Sequence, residues 1–121
     1  MYADTDFLLA MVKEDDWLKS NAEKVYEKYE GEITSSVTAF IEVMLVLEDE
    51  IERPEAVLQD LLEIAEPIYV PEEKLFHAVF YMEEGSNVFD AFHAALSQEK
   101  VISSDSIYDS LELDRLDLRE V

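Results

Sequence analysis

The run Val37-Thr38-Ala39-Phe40-Ile41-Glu42-Val43-Met44-Leu45-Val46-Leu47 constrains this chain more than any other stretch. Wound as a helix it is apolar on nearly every side, and a helix that is hydrophobic all round is a buried one. Glu42 is the exception within it. An isolated carboxylate in such a place costs several kcal/mol unless a metal or a dense set of hydrogen bonds compensates it. Helix capping is no explanation, because Glu42 lies mid-helix, and the run has no polar face to carry it to solvent. What remains is a buried hydrogen bond to a Ser, Thr or backbone group of another element, or a cation shared with other acids.

The rest of the chain alternates short strands with helices. Tyr2-Ala3-Asp4 predicts a brief strand turning directly into a helix at Phe7. Asp15 to Glu30 carries Trp17, Leu18, Ala22, Val25, Tyr26 and Tyr29 at helical spacing, and Gly31 ends it. Glu32 to Ser35 reads as a second strand, followed by the apolar helix running to about Glu50. Pro54 sits at a first-turn position and opens a helix with Val57, Leu58, Leu61, Leu62 and Ala65 on one face. Glu66 to Val70 is a third strand, and Pro71-Glu72-Glu73 starts a helix that Gly85-Ser86-Asn87 breaks. A further helix is expected from about Val88 to Gln98, then a fourth strand over Val101–Ser103. Leu111, Leu113 and Leu116 alternate as in a short edge strand. No linker, internal repeat or low-complexity segment interrupts this pattern, so residues 1–121 read as a single domain, long enough to bury a core without staples.

Such alternation predicts an α/β domain with a parallel sheet and helices on both faces. Sites in these sheets lie outside the carboxyl ends of the strands. Asp4 and Asp105 fall there, each after a strand. Both have structural alternatives: Asp4-Thr5-Asp6 is a natural N-cap cluster, and an Asp after Ser103-Ser104 suits a turn. Asp90, three residues after Asn87, would favour the helix dipole, yet its neighbours Phe89, Ala91 and Phe92 are apolar. Convergence favours a site. Four carboxylates from two strand ends and two buried helices can meet at one sheet edge, and such a cluster requires cations. Oxygen donors without Cys, and with only two His, favour Mg²⁺ or Mn²⁺ over zinc.

Charge narrows the partners. Thirty acids against nine bases leave a formal net of −21, a surface that repels nucleic acid at long range and attracts cations or basic proteins. Lys13, Lys19, Lys24 and Lys28 interleave with Glu as a solvated helix surface would. Lys13, nearest the first acid in sequence, is the candidate for guiding a phosphate. The opening residues lack a basic-then-apolar signal, and no apolar run approaches the ~18 residues of a membrane span. A cytoplasmic protein is the expectation.

These blocks resemble the PIN domain, the nuclease fold of many prokaryotic VapC-type toxins, over essentially the whole chain. Asp4-Thr5-Asp6-Phe7-Leu8-Leu9 is similar to the family opening Asp-Thr-Asn-Val-Leu-Leu, with Asp6 in place of Asn. Ser36 to Val43 resembles the Ser/Thr-rich lead into the second acid. Asp90-Ala91-Phe92-His93-Ala94-Ala95 resembles the third block, the most specific, and Val101 to Tyr108 the last, with Ile107 where many relatives carry another acid. The resemblance implies a three-layer α/β/α fold around a parallel sheet of four to five short strands. It implies that Asp4, Glu42, Asp90 and Asp105 bind one or two Mg²⁺ or Mn²⁺ ions and cleave RNA, leaving 3′-hydroxyl and 5′-phosphate ends. Thr5, Asp6, Ser103 and His93 would then support the ligands. It further implies a homodimer restrained by a small antitoxin whose basic tail reaches the acids. Two other readings keep the fold: a catalytically silent acidic interaction module, and a housekeeping RNA-processing nuclease. A phospho-receiver domain is excluded, since the third strand ends in Tyr69-Val70-Pro71 rather than Asp.

Overall fold

A computed structural model of the chain describes residues 1–97 and 100–121. In chain order its elements are β1 (Tyr2–Ala3), α1 (Thr5–Val12), α2 (Lys19–Tyr29), β2 (Thr34–Ser35), α3 (Val37–Val46), α4 (Pro54–Ile64) and β3 (Glu66–Pro67). There follow α5 (Glu72–Glu83), α6 (Val88–Leu96), β4 (Lys100–Ser103), α7 (Ile107–Ser110), β5 (Asp114–Asp117) and a 3₁₀ turn over Leu118–Glu120. The strands form one sheet in the order β3-β2-β1-β4-β5, and every pairing is parallel. This is the expected α/β architecture.

β1 is two residues long, yet it is the centre of the sheet. Tyr2 registers with Thr34 on one side and Val101 on the other, and Ala3 with Ile102. From β1 the chain steps outward to β2 and β3, then returns to the other side of β1 with β4. Right-handed crossovers therefore put α1–α4 on one face and α5–α7 on the other. Each face has its own core. Ala3 and Ile102 pack with Phe7, Leu8, Val43 and Leu61 under the first set, while Val101 packs with Ala94 and Tyr108 under the second. The alternation of Val101 and Ile102 between the two is the period-two pleat of a strand buried on both sides.

Three α-helices begin at side-chain caps, and each of the three carries an expected site residue. Asp4 accepts from the Thr5 amide at α1, Ser36 from Ala39 at α3, and Asn87 from Asp90 at α6. Gly31, at φ +83°, turns the chain out of α2 as a left-handed residue.

The expected boundaries shift where local chemistry competes. The helix expected from Asp15 begins at Lys19, because the Asp16 carboxylate takes the Leu18 amide in a turn, and Trp17 is left exposed. α3 stops at Val46 rather than near Glu50: Glu48-Asp49-Glu50 would put three negative charges on the negative end of its dipole. The third strand is only Glu66–Pro67, an edge strand that proline can join but not extend with its own N–H. The expected end of α6 at Gln98 lies outside the described residues. α7, a single turn, carries no sequence periodicity and was not expected.

The larger correction concerns α3. It is not buried all round: Val37, Ile41, Leu45 and Val46 are each more than half exposed, while Ala39, Phe40, Val43 and Leu47 face the core. The outward side of α3 is apolar yet uncovered among the described residues.

Candidate metal centre

The order of strands reverses between β1 and β4, and the crevice at that reversal is where open α/β sheets place ligands. Asp4 leaves β1 there and Asp105 leaves β4. A cleft of about 370 Å³ at this edge is lined by Asp4, Thr5, Asp6, Leu9, Glu42, Val46, Asp90, Ser104 and Asp105. All four expected acids meet in it, drawn from four parts of the chain. None of the residues lining it is basic.

Asp4 is the floor, 5% exposed. It caps α1 through Oδ1, which accepts from the Thr5 amide at 2.7 Å, and its Oδ2 accepts from the Ser103 hydroxyl at 2.8 Å. The capping explanation is thus correct and does not compete with a site. Burial pushes its carboxyl above the ordinary range, against the pull of His93, Ser103 and Thr5.

Glu42 reaches the cleft from α3 with its side chain 25% exposed. Its Oε1 accepts from the Thr5 hydroxyl and lies 3.0 Å from His93 Nε2. Burial alone would raise its pKa, but the hydrogen bonds from His93 and Thr5 outweigh burial and hold it below the usual range. The charge therefore sits at a wet wall rather than in a sealed core, which removes the paradox that its sequence context poses.

Asp90 takes both roles open to it. Its amide donates to Asn87 and its Oδ2 accepts from the Asn87 amide group at 2.7 Å, a reciprocal cap. Burial first, then the Asp105 charge, push its carboxyl up. Asp105 is exposed, its Oδ1 accepts the Ile107 amide at 2.9 Å, and its own amide bonds Ser103 Oγ. Glu42 Oε2, Asp90 Oδ1 and Asp105 Oδ2 accept nothing from the described residues, whereas the other oxygen of each is held by the protein.

Asp6, expected among the residues that support the ligands, binds the loop after β4. Its Oδ2 accepts from the Ser104 amide at 2.7 Å and the Ser104 hydroxyl at 2.5 Å, while Oδ1 is buried without a partner. Burial and the Asp4 charge push it up to about 6. Lys13 does not line the cleft. It ends α1, roughly 12 Å along the helix from Asp4, and its carbonyl accepts from Lys19. His77 is exposed on α5, stacked on Tyr81. Tyr2, Ser36 and Ser104 are participants that no local pattern marks, because their partners lie far away in sequence.

The residues fit a hard divalent cation. A carboxylate oxygen each from Asp4 and Glu42 and a ring nitrogen of His93 lie within 4.8 Å of one another, and the carboxylates of Asp90 and Asp105 line the same cleft, so four acids can face one ion. Among the described residues no Lys or Arg pairs with any of the four acids. Burial is the main cause that pushes the carboxyls of Asp4, Asp6 and Asp90 up, and neighbouring acids add to it at Asp6 and Asp90.

A parallel sheet with an acidic cleft at its switch point defines an α/β protein with a candidate divalent-cation site. Residues 1–111 match the family model of the PIN domain, and the chain belongs to that family, whose members are generally metal-dependent nucleases. No curated protein and no solved structure gives a significant match. No helix among the described residues is long and apolar enough to cross a membrane.

Proposed function

We propose that this protein is a Mg²⁺- or Mn²⁺-dependent endoribonuclease and the toxin of a type II toxin–antitoxin pair. The observation that carries the nuclease reading is the meeting of Asp4, Glu42, Asp90 and Asp105 in one cleft with no basic side chain among them. These four carboxylates would hold one or two cations. A bound ion of this kind supplies Lewis acidity for activating water and stabilising charge at phosphorus.

The chain's own residues set the geometry. Thr5 and His93 hold Glu42 by one oxygen, Asn87 holds Asp90 and the Ile107 amide holds Asp105, so the free oxygen of each is directed by its occupied one. Ser103 ties Asp4 to the end of β4, and Asp6 ties the Ser104 loop to α1, so the strand ends that carry Asp4 and Asp105 are bonded to each other. With a net charge of −21 and no base lining the cleft, the phosphate backbone has no protein cation to meet there. RNA binding must then depend on the metal.

The toxin role adds a cytoplasmic setting, a homodimer and a small antitoxin whose basic tail neutralises the acids. Its support is the exposed apolar surface of α3 and of α5, where Leu75, Phe76, Val79 and Phe80 are exposed, together with the acidic charge. The test incubates the protein with single-stranded and structured RNA in EDTA, Mg²⁺ or Mn²⁺, beside Glu42→Gln. Metal-dependent cleavage with 5′-phosphate ends, lost in the variant while its fold persists, is the expected result. Cleavage in EDTA, or full activity in Glu42→Gln, refutes it.

A further inference from the structure

His93 is fully buried, and its two ring nitrogens face opposite surroundings. Nε2 lies 3.0 Å from Glu42 Oε1, 3.3 Å from Thr5 Oγ1 and 3.5 Å from Asp4 Oδ1. Nδ1 lies 2.7 Å from the Tyr2 hydroxyl, which is 2.7 Å from Ser36 Oγ. We propose that His93 serves the site as an Nε2–H donor to Glu42 and not as a cation ligand, and that Tyr2 is the positioning residue that enforces this by donating to Nδ1. The assignment of purpose rests on the reading of Glu42 as a carboxylate of the cation site.

The direction of the chain of hydrogen bonds follows from its fixed end. Ser36 Oγ accepts from the Ala39 amide at 3.2 Å as the cap of α3, leaving its own proton for the Tyr2 oxygen. Tyr2 then gives its proton to Nδ1, and the ring carries its proton on Nε2. There it meets three acceptors: a carboxylate at each end and, between them, a Thr5 hydroxyl whose proton is already committed to Glu42. The opposite polarity fails twice. It sets a bare Nε2 lone pair against those same oxygens, and it leaves the Ser36 proton without an acceptor among the described residues. In a fully buried ring no solvent offsets either loss.

Tyr2 is suited to the task because it is buried and held by strand pairing on both sides. It lies on the central strand, registered on both sides with Thr34 and Val101. Its buried hydroxyl, pushed strongly up by desolvation, stays a donor. Glu42 is thereby fixed from the far face of the sheet through His93 and from α1 through Thr5.

Long-range ¹H–¹⁵N correlation on labelled protein tests this, with the exposed His77 as internal reference. The His93 ring should show a protonated Nε2 and an unprotonated, hydrogen-bonded Nδ1, unchanged on addition of Mg²⁺. Tyr2→Phe should mix the tautomers and weaken Mg²⁺ binding by about tenfold or more, read by titrating the carboxyl ¹³C signals. A bare Nε2 in the metal-free protein, loss of its proton on adding Mg²⁺ or Zn²⁺, or a protonated Nδ1 each overturns the proposal. So does a folded Tyr2→Phe with wild-type spectrum and Mg²⁺ affinity. If that variant fails to fold, the wild-type ring spectrum decides alone. Carboxyl signals indifferent to Mg²⁺ would overturn the cation-site reading while an Nε2–H pattern upheld the hydrogen-bond assignment.

Discussion

Asp6→Asn should make the metal-free protein more stable at neutral pH, and by an amount that depends on pH in a defined direction. Asp6 is pushed from its ordinary 3.8 to about 6, by burial first and the Asp4 charge second. An acid whose folded pKa lies above its unfolded value binds more protons when folded. Its contribution to stability is therefore present at low pH and is lost as pH rises through the interval from 3.8 to about 6. At full ionisation a shift of this size costs about 3 kcal/mol. Asparagine imitates the protonated form: its oxygen can accept from Ser104 as Oδ2 does, and its amide nitrogen takes the position of Oδ1, which has no partner. A buried N–H that finds no acceptor returns about 1–2 kcal/mol of this, so the net gain near pH 7 is roughly 1–2 kcal/mol.

The pH dependence is the sharper quantity, because the cost of the unpaired amide is the same at every pH. Between about pH 5 and about pH 7.5 the advantage of Asp6→Asn should grow by about 1.4 kcal/mol and then level off. Urea unfolding of both proteins in EDTA at four or five pH values measures it, with m-values compared to show that the unfolded states match. Asp4 shares the field with Asp6, so the pair titrates together and the rise spreads over a wider pH range than a single site gives. A constant difference at all pH values, or an advantage that shrinks as pH rises, refutes the reasoning. Added Mg²⁺ should reduce the advantage, since a cation at Asp4 relieves the same repulsion.

Other side chains give simpler readings. Lys19 donates to the Met11 and Lys13 carbonyls at 3.0 and 2.9 Å and so closes the end of α1; Lys19→Met should lower stability by about 1–2 kcal/mol in thermal or urea unfolding. The buried Tyr108 hydroxyl has no hydrogen-bond partner by distance and angle among the described residues, so Tyr108→Phe should be neutral or stabilising by up to about 1 kcal/mol, seen as an unchanged or raised Tm. Gly31 has open space around it but a φ of +83°, so Gly31→Ala should cost about 1 kcal/mol through backbone strain alone, measured as a lowered urea midpoint.

Much of the fold is legible because its punctuation is local. Gly31, Pro54 and Asn87 mark helix ends by their own backbone chemistry, and the acids after β1 and β4 sit at strand ends that a parallel sheet brings together. What the sequence hides is coverage and distance. Hydropathy reports that Ile41 and Leu45 are apolar, not whether another element lies over them; here each is about half exposed, at 51% and 54%. Likewise Glu42 depends on Thr5 and His93, which are 37 and 51 positions away, and His93 on Tyr2 at a separation of 91. No window of sequence contains those partnerships. Lys13 misled for the same reason: nearness to Asp4 along the chain became a helix length in space.

α3 shows why Glu42 stands in so apolar a run. One side of the helix builds the core with Ala39, Phe40 and Val43; another carries Glu42 to the cleft; the third, with Val37, Ile41 and Leu45, walls a groove of about 540 Å³ whose lining also includes Phe40, Met44, Glu48, Ile51, Pro54 and Leu58. Only the first of these needs apolar residues for folding. The apolar character of the third is a cost to an isolated chain, since exposed aliphatic patches promote association. The net charge of −21 opposes that association between copies, and it opposes it least for a basic partner. Under the proposed toxin reading, the apolar outer side of α3 and the acidic charge would suit a partner that brings both apolar side chains and positive charge. Glu42, on the adjoining side, belongs to the cleft such a partner's charge would seek.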